Sequence, residues 1–474
     1  CPNNKNTFQK IMKKTLLIIV GMLFFNVQSY SQIISKVDER FELTSIMFAL
    51  AGVPEYCECA IPSYVEDIIT ELAPYEFTEP INYIRELNTM HAIGYNNVST
   101  TAEMLEIKNG KIRLQPQFDI SQISKYDSQW NEELFAKYLK MINQFYKESN
   151  FHKFYKDHKE LYDIATNRMN ELLATIDTQW FYSFFGKEFD KELDIYISIT
   201  NGPSNYALRN GILVGVMKDG NGMPHVNSFL TLPTIIHEFC HHYTNPLFDR
   251  WSPQMEYSAN KIYPYVEDKM HQLAYSGADV TLEEWLNNLC VLAYLKETGY
   301  SSFNARVSYQ VARGFIWMRR SMDFMENFYA HRDLYPHIED FMPQLIAFLN
   351  FTADNFDSVL TEYQNRHPYI TNVYPAVNSD ITGFNEIIIT FSEPMLGAWG
   401  FYGSGSDDPN VKELYINAVE WSEDKLQVKL ILAPEESEPN CTYGIQLLPE
   451  GFISAKYFHL DNTCRNLIFN TIQK

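Results

Sequence analysis

The spacing of apolar residues divides the chain into a helical part and a strand-rich part. Over residues 37–367, apolar side chains recur every three or four positions with acids and lysines between them, which predicts amphipathic helices. The pattern is clearest at 130–146, 155–173, 281–295 and 342–363. Residues 194–200 instead alternate like a half-buried strand, a turn-forming stretch follows, and 211–216 form a second strand. We expect a small sheet beside the helices.

After His367-Pro368 the pattern changes to short β-branched or aromatic runs separated by turn residues. The runs are 386–391, 414–421, 426–432 and 443–448. This predicts an α+β chain in which a mainly helical domain, residues 32–367, precedes an all-β sandwich domain, residues 368–474. A composition of 46% hydrophobic and 15% aromatic residues supplies enough apolar material for a large core and a smaller one.

The first residues have the pattern of an export signal. Met12-Lys13-Lys14 precedes an apolar run that is too short to span a bilayer comfortably. We interpret residues 1–31 as a signal peptide with an upstream extension and expect the mature protein to begin at Gln32. The mature chain should then be exported, to the periplasm, the cell surface or the medium.

The net charge argues against a nucleic-acid partner. The whole sequence carries a charge of −21, and the first 31 residues contain four lysines and no acid, so the remainder is more acidic still. A polyanion binds nucleic acid poorly, and we interpret the acidity as a solubility feature. No later segment is long and apolar enough to predict a membrane span.

Six cysteines follow the predicted signal peptide. An oxidising compartment permits disulfides among them without requiring any. We expect Cys441 to pair with Cys464, because both lie in the strand-rich region, whereas Cys57 and Cys59 are too close for an unstrained mutual bridge. Cys240 and Cys290 complete the set.

The segment His237-Glu238-Phe239-Cys240-His241 has the spacing of a zinc site. Two histidines four positions apart on a helix are rotated by only about 40°, so both imidazoles leave the same face. Glu238, beside the first histidine, can reach a water molecule on the metal without occupying the metal itself. We expect this helix to have Pro233 in its first turn and to stop at Asn245-Pro246. The alternative is a surface helix with scattered histidines.

These residue types suit amide hydrolysis. Zinc lowers the pKa of its bound water and polarises the scissile carbonyl, and Glu238 can act as general base and return the proton to the leaving amine. The sequence therefore predicts a zinc-dependent metallohydrolase whose substrate is a protein or peptide. The alternative is a catalytically inactive cell-surface or secreted binding protein that retains the fold.

The third zinc ligand must come from elsewhere, and a glutamate on a later helix is favoured. Thr281 is expected to open that helix, and Glu284 lies on its more apolar stripe, which directs Glu284 inward. Two alternatives stay open at this point. Glu284 could form a capping box with Thr281, and the adjacent Glu283 could be the ligand instead. Cys240 is expected to be a buried, inert thiol rather than a ligand.

Other residues near the motif receive weaker predictions. Tyr206, Tyr243 and Tyr257 are possible hydrogen-bond donors to an oxyanion, with packing as the alternative role of each. His242 points about 100° away from His241 and is expected to be structural. The strand ending at Thr200 could bind an extended peptide by adding it to a sheet edge.

Residues 36–365 resemble a family of exported bacterial proteins with a gluzincin-like metallopeptidase domain of unknown function. The matching stretches are 37–43, 205–206, 236–241, 245–247 and the helix that carries Glu284. The resemblance implies a zincin-like fold with zinc bound by His237, His241 and Glu284 and with Glu238 as catalytic base. An arginine is expected four residues after the helical glutamate, and this chain has Asn288 there.

Residues 368–472 look like a bacterial Ig-like domain. The similarity rests on Tyr374-Pro375, on the run 387–395 and on the closing segment 468–471. It implies a spacer or adhesion module, with a possible surface ligand and no chemistry of its own.

Overall fold

The computed structural model describes residues 33–189, 193–364, 366–433, 438–461 and 465–472. The predicted α+β class is confirmed, with about 51% of the chain helical. The described residues form two compact units, 33–176 with 193–232, and 177–189 with 233–472. The predicted signal peptide and Cys464 lie outside the described residues, so the proposed pairing of Cys441 stays a prediction.

The first unit contains eight helices and eight strands among its described residues. The helices are α1 Glu39–Leu50, α2 Pro62–Asp67, α3 Glu79–His91, α4 Asn96–Met104, α5 Ile123–Tyr126, α6 Glu132–Glu148, α7 Phe151–Asp157 and α8 Lys159–Leu173. The strands are β1 Ser35–Val37, β2 Leu105–Lys108, β3 Lys111–Leu114, β4 Asp194–Ser198, β5 Tyr206–Leu208, β6 Gly211–Gly215, β7 Met217–Lys218 and β8 Pro224–His225. Short non-α turns lie at Pro54–Tyr56, Ile68–Leu72, Ala73–Tyr75 and Ile120–Gln122.

The main sheet of this unit has the strand order β1-β4-β6-β5. Strands β1, β4 and β6 run parallel, and β5 is antiparallel at one edge. Strands β4 and β6 fall on the two strands predicted from the sequence. The buried carboxylate of Glu42 on α1 accepts hydrogen bonds from the Ile199 amide, the Thr200 hydroxyl and the Tyr64 hydroxyl. This network fastens α1 to the end of β4.

Among its described residues the second unit contains nine helices and eight strands, and α10 begins five residues before this unit. The helices are α9 Thr178–Phe185, α10 Ser228–Ile262, α11 Glu267–Gln272, α12 Ala278–Glu297, α13 Phe303–Ala312, α14 Met318–Phe324, α15 Glu326–Ala330, α16 Ile338–Asp354 and α17 Phe356–Gln364. The strands are β9 Ile370–Tyr374, β10 Glu386–Phe391, β11 Phe401–Tyr402, β12 Val411–Glu413, β13 Ile416–Trp421, β14 Gln427–Leu432, β15 Thr442–Leu447 and β16 Asn466–Asn470. Short 3-10 turns lie at Tyr263–Tyr265 and Pro449–Gly451.

The C-terminal strands form two sheets with one shared core. One sheet has the order β13-β14-β10-β9, and the other joins β11, β12 and β16 to β15. Ile387 and Val428 from the first sheet and Tyr443 and Phe469 from the second belong to the same buried cluster. Strands β10, β13, β14 and β15 overlap the four predicted runs. Alternation of buried and partly buried residues, as in β10, is the physical basis of that agreement.

Residues on both sides of position 367 belong to the second unit. The imidazole of His367 contacts the backbone oxygen of His459 through Nδ1 at 3.0 Å, and Arg319 on α14 donates to the backbone oxygen of Tyr457 at 2.7 Å. The change from helix to strand therefore occurs within a packed region. Over the part of the chain that the structure describes, no helix is long and apolar enough to cross a membrane.

Candidate metal centre

Helix α10 carries the predicted motif and is longer than the sequence predicts. It runs from Ser228 to Ile262 with Pro233, Pro246 and Pro253 inside it. The expectations that Pro233 lies in the first turn and that the helix stops at Asn245-Pro246 are therefore wrong. Each proline removes one backbone N–H from the helix. In an α-helix the backbone N–H of residue 253 would donate to the Asp249 backbone oxygen, and Pro253 has no N–H. The Ser252 hydroxyl donates to that oxygen instead.

Tertiary packing anchors α10 on both sides of Pro246, after it through the Ser258 hydroxyl, which donates to Asn350 on α16. The Tyr243 ring stacks on Phe185 of α9 with ring centroids 4.6 Å apart, and its hydroxyl donates to the Glu188 backbone oxygen. Phe239 packs against Phe189 with centroids 4.7 Å apart. Aromatic pairs of this kind add to the free energy gained by burial, and they outweigh the local preference of proline to end a helix.

His237 and His241 leave one face of α10 and point at each other. Their Nε2 atoms are 3.0 Å apart, and the side chains are 18% and 22% exposed. The Nδ1 atoms have other partners: His241 Nδ1 lies 2.8 Å from Asn245 Oδ1, and His237 Nδ1 lies 3.0 Å from the Asn287 carboxamide nitrogen. Hydrogen bonds at the outer ring nitrogen orient an imidazole, and here they leave both Nε2 atoms directed inward.

Sequence reasoning missed both asparagines. Asn245 lies one turn after His241, so its spacing was a usable signal, but it was assigned only to ending the helix. Asn287 is 50 residues from His237, and no local pattern connects the two. Asn287 also bonds to the His237 backbone oxygen and to the Thr244 hydroxyl, which ties α12 to α10.

Glu284 of α12 completes the cluster. Its Oε2 lies 3.5 Å from His237 Nε2, and its Oε1 lies 3.7 Å from His241 Nε2. Helix α12 begins at Ala278, so Thr281 lies inside the helix and bonds to the Gly277 backbone oxygen. The capping-box alternative for Glu284 is therefore wrong. Among the described residues, His237, His241 and Glu284 are the one group with metal-ligating atoms this close together, all within 4.8 Å, and Glu283 is outside it.

The cluster fits a tetrahedral cation in size and in chemistry. Nitrogen and oxygen ligands of tetrahedral zinc, at about 2.0–2.1 Å from the ion, lie about 3.3 Å from one another. The three separations here, 3.0, 3.5 and 3.7 Å, bracket that value. Glu284 Oε2 is buried without a hydrogen-bond partner among the described residues. A cation bound between this oxygen and the two imidazole nitrogens would be the partner that the oxygen lacks.

Burial sets the protonation of the cluster. Burial, together with the neighbouring His241, holds the pKa of His237 well below its usual value, so its imidazole is neutral. Burial also raises the pKa of Glu284. For Glu238, burial raises the pKa to about 7, with His241 opposing the shift and Glu284 adding to it. A carboxyl group with that pKa can both accept and return a proton near neutral pH.

The remaining predicted residues lie outside the cluster. Cys240 is fully buried, which raises the pKa of its thiol, and Tyr257 donates to Asp354. Tyr243 is packed as described above, His242 is not part of the ligand group, and Tyr206 lies in the first unit. These contacts do not place Tyr206, Tyr243 or Tyr257 as a hydrogen-bond donor to an oxyanion.

The residue beside the cluster that sequence reasoning missed is Tyr275. The charges of the Glu284 carboxylate and the Arg313 guanidinium both act on the pKa of its hydroxyl, in opposite directions. Burial, followed by the Glu284 charge, raises the pKa of Tyr275, so its hydroxyl stays protonated and can donate. Tyr275 precedes α12 in a loop with no motif of its own, so no sequence pattern marks it.

Comparison of the sequence with models of known protein families gave no matching family, and comparison with curated proteins gave no match. A function for this chain is therefore inferred from its own residues.

Proposed function

We propose that this protein is an exported zinc-dependent hydrolase of peptide bonds, with zinc bound by His237, His241 and Glu284. The observation that carries the proposal is the convergence of two imidazole Nε2 atoms on a buried carboxylate whose Oε2 has no hydrogen-bond partner among the described residues. Three protein ligands leave a coordination position open, as in catalytic rather than structural zinc sites. The zincin-like fold, the Ig-like module and the export signal belong to the same proposal.

Glu238 carries the proton chemistry in this proposal. Zinc held by His237, His241 and Glu284 would supply a Lewis acid for the scissile carbonyl and for the attacking water molecule. The Glu238 carboxylate takes a proton from that water and delivers it to the leaving nitrogen, for which its pKa of about 7 is suited. Asn245 and Asn287 keep the two imidazoles in orientation throughout.

The test replaces Glu238 by glutamine, which keeps the size of the side chain and removes its basicity. Glu238→Gln should fold, retain one zinc per chain and lose at least about a hundredfold in kcat toward a peptide library. Zinc content is measured by atomic emission and cleavage by mass spectrometry. Glu256→Gln is the matched control, because Glu256 is an exposed acid on the same helix.

Two outcomes count against the proposal. Unchanged hydrolysis by Glu238→Gln removes Glu238 from the mechanism. Tight zinc binding with no hydrolysis of any peptide by the unaltered protein instead supports the alternative function, a catalytically inactive binding protein.

A further inference from the structure

Helix α12 is held on two sides by polar side chains close to Glu284. On one side, Asn287 bonds to the ring and the backbone oxygen of His237 on α10. On the other side, the Oδ1 atom of Asn288 accepts a hydrogen bond at 2.7 Å from the carboxamide nitrogen of Gln310 on α13. The position of α12 therefore depends on α13 as well as on α10.

Glu284 lies between these two asparagines around the helix axis. At about 100° per residue, Asn287 is about 60° to one side of Glu284 and Asn288 is about 40° to the other. The Asn288 carboxamide also donates to the Glu284 backbone oxygen at 2.8 Å. The proposed ligand is thus bracketed by one contact with α10 and one contact with α13.

The rotation of α12 about its axis decides where the Glu284 carboxylate lies. The outer surface of a helix is about 5–6 Å from its axis, so a rotation of about 10° displaces a carboxylate there by about 1 Å. A metal site has to be held to within about 0.5 Å to keep its geometry. A small rotation of α12 would therefore carry Glu284 out of position relative to the two histidine nitrogens, which are 3.5 and 3.7 Å from its oxygens.

The contribution of Gln310 to stability does not explain its presence. Its side chain is 3% exposed, and its Oε1 is buried without a hydrogen-bond partner among the described residues. A buried acceptor without a partner costs at least as much free energy as one neutral hydrogen bond contributes, and an apolar side chain of similar size would avoid that cost. What the bond from Gln310 does provide is a fixed direction for the Asn288 side chain.

We propose that Gln310 is a positioning residue for the metal ligand Glu284 and that it acts through Asn288. This inference rests on the proposed function, because it takes Glu284 to be a zinc ligand. Gln310 is not itself a member of the ligand group. By orienting Asn288, it holds α12 on the side that Asn287 does not reach, and it keeps the Glu284 carboxylate facing the two histidines.

The first experiment measures the zinc affinity of the full chain by competition with a chromogenic chelator. Gln310→Met should bind zinc about tenfold more weakly than the unaltered protein, because a group that orients a ligand from outside has been lost. The Tm of the metal-free variant should change by no more than a few degrees, because methionine also removes the unpartnered acceptor. Gln310→Leu is measured in parallel, so that the result does not depend on how one side chain packs.

Tyr294→Phe is the matched control on the same helix. The Tyr294 hydroxyl accepts a hydrogen bond from the Asp177 amide at 2.8 Å, and Tyr294 lies almost three turns after Glu284. Losing that bond should lower the Tm without weakening zinc binding. An equal loss of zinc affinity in Tyr294→Phe and Gln310→Met would show a general effect of stability and would overturn the inference.

The second experiment tests whether Gln310 acts through Asn288. Zinc affinity is measured for Asn288→Ala and for Asn288→Ala combined with Gln310→Met. If the two residues act in series, the double variant should bind zinc no more weakly than Asn288→Ala alone. Losses that add in the double variant would contradict the proposed route.

The third experiment reports the geometry of the site. The visible absorption of Co²⁺, loaded in place of zinc, depends on the arrangement of its ligands. The Co²⁺ spectrum of Gln310→Met should differ from that of the unaltered protein, whereas the spectrum of Tyr294→Phe should match it. An unchanged spectrum in Gln310→Met would remove Gln310 from the positioning of the site.

These measurements separate failure of the inference from failure of the proposed function. If the unaltered protein binds no zinc, both fail. If it binds zinc but hydrolyses no peptide, the proposed hydrolysis fails and the zinc affinities still decide the role of Gln310. If it does both and Gln310→Met binds zinc as tightly as the unaltered protein, only the role of Gln310 fails.

Discussion

At the scale of single residues, the two adjacent acids on α12 have different environments. They are about 100° apart on the helix, so only one can face the histidines. The stripe that Glu284 shares with Val291 and Leu295 is apolar, and from that pattern the sequence favoured Glu284. The structure places its carboxylate against both imidazoles, whereas Glu283 lies outside the group. The sequence could not exclude a capping role, because that depended on where α12 begins.

The two acids can be separated by their effect on zinc. Glu284→Ala should lose most of its zinc after dialysis against a weak chelator, because a metal ligand has been removed, whereas Glu283→Ala should keep about one zinc per chain. Zinc is measured by atomic emission, with circular dichroism to show that both variants fold. Full zinc in Glu284→Ala together with loss from Glu283→Ala would reverse the assignment.

At the scale of elements, the site depends on how α10 and α12 meet. Asn287 bonds to the ring and the backbone oxygen of His237 and to the hydroxyl of Thr244, so one side chain fixes the position of one helix on the other. The periodicity of each helix was readable in the sequence. Their mutual packing was not, and neither was the continuation of α10 through Pro246, because contacts with α9 before the proline and with α16 after it support the helix.

Removing this link should weaken zinc binding without removing a ligand. Asn287→Ala is expected to lower zinc affinity by about ten- to a hundredfold, because His237 loses the group that orients it. Affinity is measured by competition with a chromogenic chelator. Asn350→Ala is the control, because Asn350 bonds to Ser258 on the same helix α10 but not to a histidine. Equal affinity in the two variants would show that Asn287 is not needed to orient the ring.

At the scale of the whole molecule, the strand-rich region is separate from the chemistry in sequence but packed within the second unit. All three proposed ligands and Glu238 precede residue 368. Arg319 and His367, however, bond to backbone oxygens of Tyr457 and His459. The sequence therefore indicated where the spacing of apolar residues changes from helical to strand-like. It did not indicate how closely the helical and the strand-rich regions pack.

Residues 32–367 expressed alone should bind one zinc per chain with an affinity within a few fold of that of the full chain. Loss of the contacts with Tyr457 and His459 should lower the Tm, because the helical region loses hydrogen bonds and packing partners that it has in the second unit. Zinc titration and thermal unfolding of both proteins check this. A fragment that folds, as judged by a cooperative thermal transition, but binds no zinc would show that the strand-rich region contributes to the site.

The sequence by itself determined the features that arise from local repetition. It gave the helical and strand-rich regions, the strands β4, β6, β10 and β14, and the shared face of His237 and His241, because helix and strand periods depend only on residues a few positions apart. Tertiary structure decided the contacts between residues that are far apart in the sequence. Asn287 meets His237 from 50 positions away, and Gln310 meets Asn288 from 22, through helix packing that no local pattern encodes. The orientation of the imidazoles follows from that packing.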